Sequence, residues 1–133
     1  MNTKAKRLLE AVERIETLLP EGTLRRYITS QLTLYISRSI NSETEKKLYK
    51  TYIKYAEIAS HLFKRKEEII KRLDKARVTA NKKERAKLKT IKTTLITLFQ
   101  EDTDLQRLNH LIMTSLLGLE VIEQNINKRN NIN

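Results

Sequence analysis

One long repeating pattern constrains this chain more than any other feature of its sequence. From Leu48 to Ala80, residues suited to packing recur at alternating spacings of four and three, at ten positions that we call the seam. The seam consists of Leu48, Tyr52, Tyr55, Ala59, Leu62, Lys66, Ile69, Leu73, Ala76 and Ala80. A period of 3.5 residues held over this length is typical of a helix that packs along another helix, as in a coiled coil. The pattern predicts one long helix over residues 43–80, in which only Lys66 interrupts the apolar seam.

The rest of the chain also has helical periodicity. We expect a first helix over about 4–19, a second over about 24–40, a fourth over about 82–100 and a fifth after Thr103. The second is the least regular, because its β-branched and aromatic residues also favour a strand. The chain holds only two Gly and one Pro, which leaves little turn chemistry for an all-β fold. The predicted fold is therefore an all-α, elongated bundle of about four to five helices.

Cap-like residues mark the expected ends of these helices. Ser42 with Glu45, Asn81 with Glu84, and Thr103 with Gln106 each have the spacing of a capping box, and Thr23 follows Pro20-Glu21-Gly22. The Asn81 signal predicts a break or kink around Val78–Asn81. With 133 residues, we expect a single helical-bundle domain over residues 1–127 and a frayed polar tail over 128–133.

Composition excludes several classes of protein. The chain has no Cys, so disulfides, thiolate metal sites and thiol catalysis are excluded. The basic N-terminus is not followed by the apolar stretch of a signal peptide, and no run of apolar residues approaches the ~18 needed to span a bilayer. We therefore expect a cytoplasmic protein.

Positive charge is concentrated between Lys64 and Lys92. This segment holds thirteen basic and four acidic residues, a local excess of nine, while the whole chain carries +11. Charged residues that only solvate a helix usually have mixed signs, whereas a concentrated positive field attracts polyanions such as nucleic acid. The segment predicts a nucleic-acid contact, with RNA slightly favoured over DNA.

Helical spacing selects the residues expected to make this contact. The candidates on the long helix lie away from the seam or beside it, and the series continues on the next helix. We call these eight residues the predicted ridge: Lys64, Arg65, Lys71, Arg72, Lys75, Lys82, Lys83 and Lys87. Tyr49, which lies among lysines, is the ring expected to be exposed for stacking on a base. No sequence-reading motif accompanies the ridge, so we expect backbone contacts rather than base readout.

Catalytic and metal-binding arrangements are missing from the sequence. Glu57 and His61 share a helix face, but two ligands are too few for a metal site. His110 has no partner arrangement for catalysis, and Asp102 and Asp104 fit a helix start, where acidic residues are stabilising. We expect a non-enzyme without a metal or cofactor.

One stretch resembles a known family. Gln31-Leu32-Thr33-Leu34-Tyr35-Ile36, followed by Leu48-Tyr49 and by Ala56 in a long helix, resembles the Avd accessory proteins of diversity-generating retroelements. The resemblance implies an oligomeric helical bundle that binds a reverse transcriptase and its RNA. After Lys64 the chain departs from that pattern, with a long basic helix and a fifth helix. In size, charge and helical character it is also similar to small helical subunits of CRISPR effector complexes.

Two functions follow as expectations. The first is a non-catalytic, sequence-nonspecific nucleic-acid-binding accessory subunit of a larger nucleoprotein complex. The alternative is a structural or adaptor protein, such as a viral coat-like subunit or a helical protein-interaction module, whose basic ridge meets an acidic partner. In either case we expect a protein partner or a homo-oligomer, since Leu111, Met113, Leu117 and Val121 widen the apolar face of the fifth helix.

Overall fold

The computed structural model describes residues 2–131, and this part of the chain is all-α, without a strand. It contains five helices: α1 (Thr3–Leu18), α2 (Thr23–Arg38), α3 (Ser42–Arg77), α4 (Lys82–Glu101) and α5 (Leu105–Asn131). The predicted fold class, the long third helix and the break between Val78 and Asn81 are confirmed. The chain divides into two compact units, Met1–His61 and Leu62–Asn133.

The first unit is built on the antiparallel hairpin of α1 and α2. Its core consists of side chains with almost no exposed surface: Ile15, Leu24, Ile28, Leu32 and Ile36. The last four form the i+4 row of α2, which is why this segment is a helix despite its β-branched residues. At the open end of the hairpin, Lys4 Nζ donates to the carbonyl oxygen of Ser39 at 2.9 Å.

The turn between α1 and α2 depends on glycine. Gly22 has φ 157° and ψ −174°, a conformation essentially restricted to glycine. It is also the N-cap of α2, so Thr23 is the first helical residue and not the cap that the sequence predicted.

The second unit is a bundle of three helices, formed by residues 62–77 of α3 together with α4 and α5. Phe63 of α3 meets Phe99 of α4 edge to face, with ring centroids 5.1 Å apart. The core is closed by Leu73, Leu95, Leu108, Ile112 and Leu119, all nearly or fully buried. α3 and α5 both run antiparallel to α4, since Asp74 meets Lys92 across α3 and α4, and Ile91 meets Gly118 across α4 and α5.

Lys66 is explained by its neighbours in the second unit. Its side chain is only 14% exposed, and its Nζ lies 5.1 Å from the centroid of the Phe63 ring and 5.6 Å from that of Phe99. Nζ also pairs with the Glu67 carboxylate at 2.9 Å. The lysine in the seam therefore packs on two aromatic faces, an arrangement stabilised by cation–π attraction.

Of the three predicted capping boxes, one is confirmed and two are replaced by a neighbouring cap. The box formed by Asn81 and Glu84 is confirmed, with both reciprocal hydrogen bonds present. α3, however, is capped by Asn41, whose Oδ1 accepts from Thr44 N at 2.8 Å. α5 is capped by Asp104, whose Oδ1 accepts from Gln106 N at 2.9 Å. In both cases the capping role passes from the predicted residue to its neighbour, because Asn and Asp cap helices as readily as Ser and Thr do.

The C-terminal segment is more ordered than the sequence indicated. α5 continues to Asn131, whereas a frayed tail was expected from residue 128. Arg129 supplies the reason: it pairs with Glu84 and donates to the carbonyl oxygen of Thr79, tying the last turns of α5 to the α3–α4 turn. The remainder of the expected tail, residues 132 and 133, lies outside the described residues.

Candidate nucleic-acid interface

Most of the predicted ridge is exposed. The side chains of Lys64, Arg65, Lys71, Lys75, Lys82, Lys83 and Lys87 all face solvent. They do not form one continuous surface, however. Lys75 lines a groove between α3 and α5, whereas Lys87 lines a different groove between α4 and α5. Lys75 and Lys87 of the predicted ridge thus lie in different grooves of the three-helix bundle.

Arg72 is engaged within the protein. Its guanidinium pairs with the Glu123 carboxylate of α5, with Nε 3.3 Å from Oε2 and Nη2 in a short contact with Oε1. The hydrogen bond to Glu123 raises the pKa of Arg72. A phosphate would have to displace an existing bidentate partner to bind this residue. Arg72 therefore differs from its exposed neighbours in the predicted ridge.

Tyr49 lies in the first unit and is not the exposed ring that the sequence predicted. Its side chain is half-buried, and its hydroxyl oxygen is enclosed without a hydrogen-bond partner among residues 2–131. Burial, and secondarily the Glu45 carboxylate, raise the pKa of Tyr49. Stacking on a base needs an open ring face, so this placement removes the geometric basis for that role.

Several basic side chains surround one cavity between α3 and α4. A groove of about 200 Å³ is lined by Arg77 of α3 and by Arg85, Lys89 and Lys92 of α4. Its floor is apolar, since Leu73 and Leu88 are almost fully buried. We call this feature the α3–α4 groove; none of its four basic residues belongs to the predicted ridge.

One acidic residue shares the α3–α4 groove. Asp74 Oδ1 accepts a hydrogen bond from Lys92 Nζ at 2.8 Å, which neutralises that lysine. Arg77, Arg85 and Lys89 have no hydrogen bond or ion pair from their side chains within the described part of the chain. The groove therefore combines three available cations with one internal ion pair.

An ion pair between the buried Glu84 carboxylate and the exposed Arg129 fixes the α3–α4 turn beside this groove. Glu84 is 8% exposed; its Oε2 accepts from Arg129 Nη1 at 3.1 Å and its Oε1 from Asn81 N at 2.8 Å. The Arg129 hydrogen bond, followed by the backbone amide of Asn81, holds the pKa of Glu84 below its usual value. Because Glu84 precedes Arg85, this network orients the first turn of α4 and the cations on it.

A second, mainly apolar surface lies where α4 meets α5. On α5, Met113, Leu117 and Val121 are 53%, 62% and 57% exposed, respectively. Beside them lies a groove of about 540 Å³ between α4 and α5, lined by Ile91 and Gly118 among others. We call this the α4–α5 face. Its exposed apolar residues are among those that widen the apolar face of the fifth helix in the sequence. They lie outside the buried core.

Among the remaining polar candidates, Asp102 and Asp104 stabilise the start of α5. Asp102 accepts from Asp104 N and pairs with Arg107, and chiefly this Arg107 hydrogen bond lowers the pKa of Asp102 to about 2. His61 and His110 are exposed. Among residues 2–131, no three His, Asp or Glu side chains are grouped as they would be to hold a metal ion.

None of the helices in the described residues is long and apolar enough to cross a membrane. Comparison of the chain with protein-family models, with curated proteins and with solved structures gave no match. The resemblance to Avd accessory proteins therefore stays an expectation.

Proposed function

We propose that this protein is a non-catalytic, sequence-nonspecific nucleic-acid-binding accessory subunit of a larger nucleoprotein complex. The observation that carries the proposal is the set of exposed cations on α3 and α4 that lack an internal partner, with Arg77, Arg85 and Lys89 around one groove. Mutual repulsion of like charges destabilises a folded domain unless a polyanion neutralises them. Phosphate backbones supply such a counter-charge at regular intervals.

Nonspecific binding follows from the residue types. Lys side chains act as point charges toward phosphates and fix position without reading sequence. The sequence offers no zinc-finger, helix-turn-helix or ribonucleoprotein motif that would place side chains against base edges. We favour RNA slightly over DNA as the ligand.

A salt series tests the proposed function. Fluorescence anisotropy with single- and double-stranded RNA and DNA should show affinity that falls as salt rises, independent of sequence. About six phosphate contacts would give a log–log slope of about −4 to −5. Poly-glutamate serves as the competing ligand, because an adaptor for an acidic protein partner would bind it as tightly as nucleic acid. Absence of salt-dependent affinity for any nucleic acid would overturn the proposal.

The accessory role also requires a protein contact, and we infer that a second copy of this chain covers the α4–α5 face. Met113, Leu117 and Val121 carry no charge, and the basic α3–α4 groove lies on the other side of α4. Two copies that each carry +11 would meet less repulsion there than at the α3–α4 groove, because Lys87 is the one cation among the described residues that lines the α4–α5 groove. An isologous contact between identical apolar patches is the commonest way in which oligomers form.

Sedimentation velocity tests this contact. The wild-type protein should sediment as a dimer at micromolar concentration, and Leu117→Glu combined with Val121→Glu should convert it to a monomer. Leu9→Glu is the matched control, because Leu9 is also exposed (51%) but lies on α1. If the wild-type protein is a monomer at every concentration, a second copy does not cover the α4–α5 face. The salt series would then still decide whether the protein binds nucleic acid.

A further inference from the structure

Four cations form a stripe along one side of α4. Lys82, Arg85, Lys89 and Lys92 are spaced by three, four and three residues, which places them on a single helix face. At 1.5 Å per residue the stripe is about 15 Å long. The last three line the α3–α4 groove, and Lys82 extends the stripe toward the turn. By the same geometry, Lys83 and Lys87 of the predicted ridge are turned toward α5, where Lys87 lines the neighbouring groove.

α3 completes the groove from its last turn. Arg77 lies across from Arg85 and Lys89, and the buried Leu73 and Leu88 form the floor between the two helices. A low-polarity floor excludes water from one side of the groove, so that charges in it attract a bound anion more strongly than charges on an open surface. Arg77 and Arg85 add planar guanidinium groups, which bind phosphate oxygens in bidentate fashion.

We propose that one nucleic-acid strand lies along the α3–α4 groove, with its phosphates bound by Lys82, Arg85, Lys89 and Arg77, and that Asp74 weakens this binding by pairing with Lys92. This inference depends on the proposed function and names the surface that performs it. It keeps Lys82 of the predicted ridge and replaces the other predicted residues with Arg85 and Lys89 of α4. It also adds Arg77, which the packing of α3 against α4 brings to the same groove.

The length of the stripe matches a linear polyanion. The stripe of about 15 Å is longer than one phosphate group, so a bound strand can contact it through more than one successive phosphate. A free phosphate ion or a nucleotide would engage only part of it. The groove therefore takes a polymer backbone in preference to a small anion.

Asp74 acts as an internal competitor in this groove. Its carboxylate occupies the Lys92 ammonium at 2.8 Å and places a negative charge beside the path of the strand. The pair is substantially exposed, with 51% of the Asp74 side chain and 37% of the Lys92 side chain open to solvent. An exposed ion pair contributes little to folding stability, so removal of Asp74 should alter binding without unfolding the bundle.

A matched pair of double variants on α4 tests the location of the strand. Arg85→Gln with Lys89→Gln removes two charges from the groove, whereas Lys83→Gln with Lys87→Gln removes two from the other side of the same helix. All four residues are exposed, and both pairs are spaced by four. At 0.1 M salt each phosphate contact contributes about five- to eightfold in affinity, so the groove variant should bind single-stranded RNA about 25- to 60-fold more weakly. The control variant should lose much less.

The outcomes separate this inference from the proposed function. If both variants lose affinity equally, or the control loses more, the groove is not the site although the protein still binds nucleic acid. If the wild-type protein shows no salt-dependent binding at all, the proposed function itself fails. Thermal unfolding followed by circular dichroism establishes that each variant is folded before its affinity is compared.

A second pair of variants tests the role of Asp74. Asp74→Asn frees Lys92 and should raise affinity about fivefold, with a steeper salt dependence by about one contact. Glu68→Gln is the control, because it removes one exposed carboxylate from the same helix outside the groove. An Asp74→Asn affinity no higher than that of the Glu68→Gln variant would show that Asp74 does not restrain binding.

Discussion

The two sides of helix α4 differ in their charge and in the apolar surface beside them. Toward α3 it lines a small basic groove, with Arg77, Arg85 and Lys89 available and Lys92 held by Asp74. Toward α5 it borders a mainly apolar face on which Met113, Leu117 and Val121 are more than half exposed, with Lys87 as the cation that lines the adjoining groove. A strand of nucleic acid and a second protein copy have opposite requirements, and the two sides satisfy one requirement each. Two faces of one helix of twenty residues thus serve two different kinds of contact.

The largest expected effect on stability shows whether the α4–α5 face contributes to folding. Leu119→Ala should destabilise the protein by about 2–5 kcal/mol, because Leu119 is fully buried in the core of the second unit. Leu117→Ala, two residues away and 62% exposed, should change the free energy of unfolding by less than about 0.5 kcal/mol. Urea denaturation measures both. Similar losses would mean that Leu117 belongs to the folded core and is not a free surface.

A smaller effect is expected at the end of the α3–α4 groove, where Arg129 binds Glu84. Because the pKa of Glu84 is lowered in the folded protein, its ionised form stabilises the fold above the ordinary pKa of 4.5. This contribution is lost as the pH falls through the lower folded-state pKa. Arg129→Gln should therefore lower the unfolding temperature at pH 7, and the difference from wild type should shrink below about pH 4.

The control for the Arg129 prediction is Lys128→Gln, which removes the same charge from the adjacent, exposed position. It should have little effect on the unfolding temperature at either pH. A difference between wild type and Arg129→Gln that persists unchanged into acid would show that the Glu84 carboxylate is not the partner that matters.

The smallest effect concerns the packing beneath the α4–α5 face. A Cβ at Gly118 would lie 3.2 Å from Ile91 Cδ1, the end of a flexible side chain that can shift by a few tenths of an ångström. Alanine is favoured over glycine within a helix by about 1 kcal/mol. Gly118→Ala should therefore stabilise the protein by less than about 1 kcal/mol in urea denaturation. A clear loss of stability would mean that α4 and α5 are packed too closely to adjust.

Most of the fold could be predicted from the local periodicity of the sequence. The five helices and the break before Asn81 follow from spacing within each segment, which does not depend on distant residues. The caps shifted by one position at Ser42 and Thr103 because a second capping residue stood beside each of them. Lys66 is accommodated in the seam because the rings of Phe63 and Phe99 lie against its ammonium group in the folded unit. Spacing alone does not reveal an aromatic partner on another helix, such as Phe99 of α4.

The candidate site was harder to predict than the fold. The sequence identifies the basic segment as the most charged part of the chain. The helix face on which each basic residue lies, however, was inferred from the seam of α3 only. For α4, the decisive information is which face packs toward α3, and that follows from the antiparallel pairing of residues such as Asp74 with Lys92. Counting outward from the break at Val78–Asn81 would have paired Arg77 with Lys82 and Asp74 with Arg85, so the observed pairing of Asp74 with Lys92 does not follow from the count. The ion pairs that occupy Arg72 and Lys92 have no signature in the sequence.

The most direct test of the account is to follow side-chain resonances by nuclear magnetic resonance as a short single-stranded RNA is added. The Nε–Hε signals of Arg77 and Arg85 should shift most and saturate together, while that of Arg72, already bound to Glu123, should change little. The amides of Leu117 and Val121 on the α4–α5 face should stay where they are. Shifts centred on Lys83, Lys87 and the α4–α5 face, with Arg77 and Arg85 unaffected, would contradict the assignment of the two sides of α4.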